Sequence, residues 1–268
     1  MTTDLRDVVF QTLRLERGYR RRSLAWRWFV GPLVGFKVDA EGFRLKLDAR
    51  DSLGLGFHRT HEPDITRLVE DQLSPGDVFV DVGANIGWHS LHASRAVGPS
   101  GRVISLEPEL HNFALLARNL AQNEVANAIP IRIGAGSATG SFEIELDDAN
   151  FGAHRFGRGQ RITVVRVEDV CRMLGVTPAL VKIDVEGAEP AVIDGLGELL
   201  GTVALVLEFF PSAQRQLGGD PDALLELLQD AYGNVSVVER VGDTYALRAV
   251  GAELVSSLGD RYTHLLCR

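Results

Sequence analysis

Short apolar runs alternate with helical patterns over most of the chain beyond residue 77. Five of the apolar runs are strand-sized and rich in Val and Ile, whereas segments 85–97, 110–123 and 190–200 repeat apolar residues at helical spacing. Strands that alternate with helices are typical of parallel sheets covered by helices on both faces. We therefore expect an α/β fold with a doubly wound, mostly parallel sheet, built on the runs DVFVDVG (77–83), RVISLEP (102–108), AIPIRIGA (128–135), LVKIDV (180–185) and VALVLEFF (203–210).

The chain before residue 63 shows a different pattern. Residues 4–29 predict a helix with an Arg-rich polar side, and residues 35–51 alternate around Glu41 and Gly42 as β-hairpins do. We therefore divide the chain into a helix and hairpin extension, residues 1–62, and a main domain, residues 63–268. Within the main domain we also expect helices at 63–73 and 221–231, an inserted hairpin or edge strands at 141–146 and 162–167, and late strands at 235–241 and 263–267.

The net charge of −8 is unevenly distributed. The first 37 residues hold eight basic and three acidic side chains, a net +5, which leaves −13 for the rest of the chain. An acidic body argues against nucleic acid as the main partner, because phosphate contacts require clustered Lys and Arg. The basic leader predicts either a packing helix with a solvated face or a peripheral contact with a membrane surface, and leader and hairpin together could supply a homodimer contact.

Cysteine usage and hydropathy indicate a reducing compartment. Cys171 and Cys267 lie far apart in no metal-ligand spacing, so we expect neither a zinc site nor a disulfide framework. No apolar run approaches the roughly 20 residues needed to span a bilayer. The charged N-terminus lacks the apolar core of a signal peptide, and we therefore expect a cytoplasmic protein.

A glycine-containing turn follows the first of the five runs. VFVDVGANIGWHS places Asp81, Gly83, Asn85 and Gly87 between a strand and a helix, and Glu107 ends the second run. Glycine allows a ligand to approach the backbone, and a carboxylate at the tip of the second strand can accept both hydroxyls of a ribose. The spacing matches neither a pyrophosphate loop nor a triphosphate loop. A ligand with a ribose and no phosphate fits better, and S-adenosylmethionine is such a ligand.

Charged residues alternate along the fourth run, LVKIDVEGAEP. Lys182, Asp184 and Glu186 should share one face of the strand, and burying them is costly unless they are paired. Ligands of such sheets bind at the carboxyl ends of the strands. A role in ligand binding therefore explains these charged residues better than a solvent-facing position on an edge strand. We predict an ion pair of Lys182 with Glu208, Asp81 or Asp184.

These motifs together resemble the FkbM-type methyltransferases, a class I group that depends on S-adenosylmethionine. The resemblance rests on DVGANIG, SLEP and VKIDVEGAEPAVIDG, with support from the lead-in LDARDSLGLGFHRTHEPDIT and from NFGAHRF, and it covers residues 36–210. It implies the Rossmann-like class I fold. It also implies O-methyl transfer to a hydroxyl of a small molecule such as a sugar, a polyketide or a related natural product.

The resemblance further implies roles for individual residues. The turn after the first strand would hold the methionine part of the cofactor, Glu107 its ribose, and the end of the third strand would border the adenine. Ser137 stands where a carboxylate often follows that strand, and His89 where many members have Thr or Ser. The cofactor-binding set so implied is Glu62, Asp81, Gly83, Ala84, Asn85, Gly87, Glu107, Pro108, Gly134, Ala135 and Asp184.

Methyl transfer to a hydroxyl needs an acceptor held in line and a group that receives its proton. Asp184 is the first candidate, with Glu186 and His154 behind it and Lys182 beside it. Mg²⁺ on Asp184 and Glu186 is disfavoured, because two carboxylates alone are a poor metal cage, and we expect no metal site. The remaining histidines without chemical spacing are expected to be structural: His58, His61, His92 and His111.

Two other functions are compatible with parts of the pattern. In an NAD-dependent dehydrogenase Glu107 would bind the NAD ribose, but the third glycine of the dinucleotide motif is missing. A methyltransferase fold that serves only as an interaction module would have no reason to keep Lys182, Asp184 and Glu186 on one buried face.

Overall fold

The computed structural model describes residue 24 and residues 26–33, 35–145, 155–156 and 160–268. These ranges contain fourteen strands and nine α-helices of four or more residues. The strands are β1 (Lys37–Ala40), β2 (Phe43–Lys46), β3 (Val78–Val82), β4 (Arg102–Leu106), β5 (Ala128–Ile131), β6 (Gly134–Ala135), β7 (Gly140–Glu145), β8 (Arg155–Phe156), β9 (Gln160–Val165), β10 (Leu180–Ile183), β11 (Ala204–Phe209), β12 (Val235–Val241), β13 (Thr244–Ala249) and β14 (Thr263–Cys267). The helices are α1 (Leu55–His58), α2 (Pro63–Gln72), α3 (Trp88–Val97), α4 (Leu110–Gln122), α5 (Val167–Leu174), α6 (Glu189–Asp194), α7 (Pro211–Gln216), α8 (Pro221–Ala231) and α9 (Leu254–Leu258).

An eight-stranded sheet forms the core, in the order β13-β12-β14-β11-β10-β3-β4-β5. The five strands from β11 to β5 are parallel, and β14, β12 and β13 are joined to them by antiparallel pairing. β10 is buried at every position, which is why its run is apolar apart from Lys182. The predicted doubly wound, mostly parallel sheet is confirmed. Its strand order reverses between β3 and β10, so a crevice forms at the carboxyl ends of these two strands.

The structure corrects several predicted element boundaries. The third run splits into β5 and β6, and β6 leaves the main sheet for a second one, ordered β6-β9-β7-β8. The inserted runs therefore form a separate sheet. Helix α3 begins at Trp88, three residues later than predicted, because Asn85 (φ 50°) and Gly87 (φ 94°) are left-handed. Strand β13 was not predicted, and five of its six side chains are exposed.

The predicted hairpin is confirmed as β1 and β2, which turn at Glu41 and Gly42. It docks on helix α4, where the Asn119 side chain accepts from the Lys46 amide (2.7 Å) and donates to the Lys46 carbonyl (3.1 Å). The helix predicted over 4–29 lies largely outside the described residues, which show a π-helical turn at Trp26–Val30. The division at residue 62 stays a prediction. No helix in the described ranges is both long and apolar enough to cross a membrane.

Candidate active site

A cavity of about 630 Å³ opens at the carboxyl ends of β3, β4, β10 and β11. Most of the residues proposed from the sequence meet there although they come from distant parts of the chain. Those that line the cavity are Glu62, Gly83, Ala84, Asn85, Glu107, Pro108, Gly134, Ala135, Lys182, Asp184 and Glu186.

The turn after β3 lies directly against the end of β10. Gly83 has φ 83°, and a Cβ atom at this position would overlap the carbonyl oxygen of Asp184. The amides of Gly83 and Ala84 both donate to the Leu106 carbonyl at 3.0 Å, which ties the turn to β4 as well. Glycine is therefore required here by both its left-handed backbone and the close approach of a second strand.

Glu107 is held at the tip of β4 by two backbone donors. Its Oε2 accepts from the Asn85 amide and its Oε1 from the Glu109 amide, both at 2.9 Å. Burial raises the pKa of Glu107 to about 8, although these two donors favour the ionised form. The Asn85 Oδ1 is buried and has no hydrogen-bond partner among the described residues, so it is an acceptor available to a ligand.

Two predicted cofactor residues support the cavity without lining it. Asp81 is buried in β3, accepts a hydrogen bond from the Ser90 hydroxyl at 2.6 Å and lies beside Lys182 in the register of β3 and β10. Burial raises its pKa, while Lys182 opposes that shift. Gly87 faces Leu116 of α4, and a Cβ atom there would crowd that side chain. Both residues therefore support the turn after β3 through contacts outside the cavity.

The predicted ion pair of Lys182 is confirmed, with Asp184 as the partner. Lys182 is 1% exposed, and its Nζ lies 2.8 Å from Asp184 Oδ2. Burial opposes ionisation of both groups, but their mutual attraction raises the pKa of Lys182 and lowers that of Asp184. Asp184, which the sequence also suggested for Mg²⁺, is thus already engaged by an ammonium group.

Three histidines surround Glu62, another carboxylate of the cavity lining. The Nε2 atoms of His61 and His89 lie 3.8 and 3.3 Å from Glu62 Oε2, and His264 Nε2 lies 3.9 Å from Glu62 Oε1. Burial opposes ionisation of Glu62, but the histidines outweigh it and hold its pKa well below the usual range. Burial lowers the pKa of His89 to about 3, and it lowers that of His264 as well.

The comparisons with known proteins agree with this geometry. The family model described as the Methyltransferase FkbM domain matches residues 81–235, which is more than half of the chain. The chain belongs to the FkbM methyltransferase family. It is an S-adenosylmethionine-dependent methyltransferase, as its sequence motifs predicted, and not an NAD-dependent dehydrogenase.

One relative of this FkbM methyltransferase is the hexuronic acid methyltransferase AglP of Haloferax volcanii. The two are 31% identical over 175 residues, which cover 63% of this chain and 69% of the relative. Similar solved structures include an FkbM methyltransferase from Methylobacillus flagellatus KT (18% identity, 81% of this chain and 53% of that one, TM-score 0.47). Another is an O-methyltransferase from Bacillus cereus in complex with S-adenosylhomocysteine (13% identity, 77% and 80% of the two chains, TM-score 0.43).

Sequence reasoning missed His61 and Tyr262 of the cavity of this FkbM methyltransferase, and it named Glu208 only as a candidate partner of Lys182. His61, expected to be structural, lines it together with His89 and Tyr262. Glu208 is buried, and burial together with nearby carboxylates raises its pKa well above the usual range. Antiparallel pairing of β11 with β14 sets Glu208 opposite His264, and no local pattern could have predicted that register. The predicted His154 lies outside the described residues.

Proposed function

We propose that this FkbM methyltransferase transfers the methyl group of S-adenosylmethionine to a hydroxyl oxygen of a sugar, and that a hexuronic acid or its glycoside is the acceptor. The observation that carries the proposal is the fixed carboxylate of Asp184, which shares one cavity with the Gly83 turn and with Glu107. The hexuronic acid named for the 31% identical relative supports the class of acceptor.

The described residues fit the cofactor. Glu107 offers a carboxylate for the ribose hydroxyls, and the side chain of Asn85 offers a buried acceptor for the amino group of the methionine part. Gly83 and Ala84, which carry no side chain larger than a methyl group, line the cavity. Pro108, Gly134 and Ala135 form an apolar edge of the cavity that suits the adenine ring.

The acidic character of the acceptor side favours a neutral nucleophile. Asp184, Glu186 and Glu208 line it, and the one described lysine of the lining is already paired with Asp184. A hydroxyl can donate its hydrogen to the ionised carboxylate of Asp184, whereas a carboxylate has no hydrogen to donate. This supports attack by a hydroxyl of the sugar rather than by its carboxylate.

The side chains then have simple tasks. When bound, S-adenosylmethionine supplies a methyl group that forms a new bond to the acceptor oxygen while its bond to sulfur breaks and the electron pair stays on sulfur. Asp184 accepts the hydroxyl hydrogen bond, orients a lone pair of the oxygen and takes up or relays the proton that the oxygen loses. Lys182 keeps Asp184 ionised and fixes its direction, so Lys182 is a positioning residue.

The test uses methyl-labelled S-adenosylmethionine and a panel of acceptors: a hexuronic acid glycoside, the matching hexose glycoside, the hexuronic acid methyl ester and a polyketide alcohol. We expect label in an alkali-stable methyl ether of the sugars and little in the polyketide alcohol. Label in an alkali-labile ester would show that the carboxylate is the nucleophile. Label in the polyketide alcohol alone would overturn the proposal that the acceptor is a sugar. Asp184→Asn should lower turnover at least about 100-fold while the affinity for S-adenosylhomocysteine changes little.

A further inference from the structure

One feature of the cavity is unused by the proposed methyl transfer: His61, Glu62 and His89 bring three metal-ligating side chains together. One ring nitrogen of each histidine and one carboxylate oxygen of Glu62 all lie within 4.8 Å of one another. Ligand atoms that share one ion at about 2.0–2.2 Å can be at most about 4.4 Å apart, so small side-chain rotations would close the set around an ion.

The ring orientation of His61 leaves the correct nitrogen available. Its Nδ1 lies 3.2 Å from the Leu53 carbonyl oxygen, which can only accept, so Nδ1 carries the hydrogen. In the neutral ring, Nε2 then presents a lone pair toward the Glu62 carboxylate, 3.8 Å away. A histidine whose second nitrogen donates to a backbone carbonyl is the usual arrangement around a bound metal.

His264 supplies a second and independent observation. It is 7% exposed, and its Nε2 is buried without a hydrogen-bond partner among the described residues. That atom lies 3.9 Å from Glu62 Oε1, the carboxylate oxygen that the other two histidines do not approach. The ion-pair partners of Glu62 in the described ranges are histidines, while the Lys182 ammonium acts on it from farther away.

The backbone holds Glu62 where these rings meet. Glu62 adopts φ 42°, a left-handed conformation that costs a non-glycine residue free energy, at the start of helix α2. His89 comes from the first turn of α3 and His264 from β14, so three separate elements fix the cluster. Such rigid support from different elements is what a metal site requires.

We propose that His61, Glu62 and His89 bind one divalent first-row transition-metal ion at the acceptor side of the cavity, and that His264 contacts the second oxygen of the Glu62 carboxylate. Two imidazoles with one carboxylate suit Zn²⁺, Fe²⁺, Mn²⁺ or Ni²⁺ better than Mg²⁺, which prefers oxygen ligands. The site differs from the Asp184 and Glu186 pair considered for Mg²⁺ above. Because His61, Glu62 and His89 line the cavity, an ion there has positions open to a ligand.

The role of the ion, though not its binding, rests on the proposed function. A bound cation would coordinate an oxygen of the sugar, such as the uronate carboxylate or a neighbouring hydroxyl, and offset the negative charge of the acidic lining. It would thereby place the reacting hydroxyl against Asp184. The ion takes no part in electron transfer, and the proton still leaves toward the protein carboxylates.

The experiment starts from the full chain stripped with a chelator and titrated with Zn²⁺ by calorimetry and with Co²⁺ by visible absorption. We expect one ion per chain and a Co²⁺ band that Zn²⁺ displaces. His61→Ala removes the most accessible of the ligands and should weaken binding at least about 10-fold, and Glu62→Gln should also weaken it. His111→Ala, which removes an exposed histidine of α4, is the matched control and should bind as the unmodified chain does.

The outcomes separate the two proposals. Absence of a Co²⁺ band at millimolar Co²⁺, in folded protein that binds S-adenosylhomocysteine, would overturn the metal site and leave the proposed methyl transfer standing. Equal Co²⁺ affinity in the unmodified chain, His61→Ala and Glu62→Gln would also overturn it, whatever the activity. If the ion binds through these residues but the chain methylates no sugar, the site holds and the proposed acceptor is wrong.

Discussion

Lys182 Nζ and Asp184 Oδ2 lie 2.8 Å apart at the carboxyl end of the central strand β10. The ammonium also neighbours the buried Asp81 of β3, so one positive charge serves two carboxylates. Its burial is tolerable only because both partners are present, since an isolated buried charge is far more costly than a paired one. This arrangement keeps Asp184 ionised and oriented before any ligand arrives.

Removing the Lys182 charge should destabilise the whole domain. Lys182→Met leaves Asp81 and Asp184 without their counter-charge, and we expect the free energy of unfolding to fall by about 3–5 kcal/mol. Chemical denaturation measures it. Lys37→Met, at an exposed position of β1, is the control and should stay within about 0.5 kcal/mol. Adding Asp184→Asn to Lys182→Met should restore part of the loss, and an unchanged stability of the single variant would contradict the paired burial.

Gly83 should not tolerate any side chain. Gly83→Ala must relieve both the left-handed backbone and the overlap with the Asp184 carbonyl, and we expect a loss of about 2–4 kcal/mol together with weakened S-adenosylhomocysteine binding. Gly175→Ala is a matched control, because Gly175 is also left-handed (φ 65°) but has nothing within 4 Å of the added carbon. Its cost should be only about 1 kcal/mol. Similar losses in the two variants would show that the contact with Asp184 is unimportant.

Cofactor affinity should depend on pH through Glu107. Burial raises its pKa to about 8, and ribose hydroxyls donate to the ionised form, so affinity for S-adenosylhomocysteine should increase as pH rises from 6 to 8 and then level off. The increase can approach about tenfold per pH unit below the pKa. Calorimetric titration across this range measures it. Glu107→Gln should bind weakly with a flat profile over the same interval, and a profile as steep as that of the unmodified chain would assign the proton to another group.

Stability should fall with rising pH because of Glu189. This side chain is 0% exposed, and burial raises its pKa from 4.5 to about 7, although the Gly187 amide and Gln214 donate to it. A raised carboxyl pKa favours folding fully below pH 4.5 and progressively less as pH rises through 7, a loss of at most about 3 kcal/mol. Denaturation midpoints between pH 4 and 9 measure this slope.

Two isosteric substitutions test whether Glu189 causes that slope, one at Glu189 itself and one at an exposed control position. Glu189→Gln should lose the share of the pH dependence that Glu189 contributes, while the shares of Glu107 and Glu208 remain. It should keep its packing, because a rotated Gln214 amide can offer its buried, unpartnered Oε1 to the new amide group. Glu198→Gln, on an exposed turn, should retain the slope of the unmodified chain. A slope in Glu189→Gln equal to that of the unmodified chain would show that Glu189 does not contribute to it.

The sequence determined the features that depend on near neighbours. Alternating apolar and helical runs predicted the parallel sheet. The i, i+2 spacing on one strand face made Asp184 one of three predicted partners of Lys182, and the structure shows that it is the partner. The Gly83 turn and Glu107 were identifiable because ligands of parallel sheets bind where strands end. Each of these inferences uses geometry that the local backbone fixes, so no knowledge of distant contacts was needed.

Only the tertiary structure decided which distant residues share the cavity. His264 meets Glu62 across 202 residues of chain because β14 inserts antiparallel beside β11, and no local period specifies that order or register. The tautomer of His61 likewise depends on a carbonyl eight residues away in an irregular segment. Local patterns select strands and helices, whereas convergence of side chains from separate elements follows from how the completed sheet buries its apolar faces.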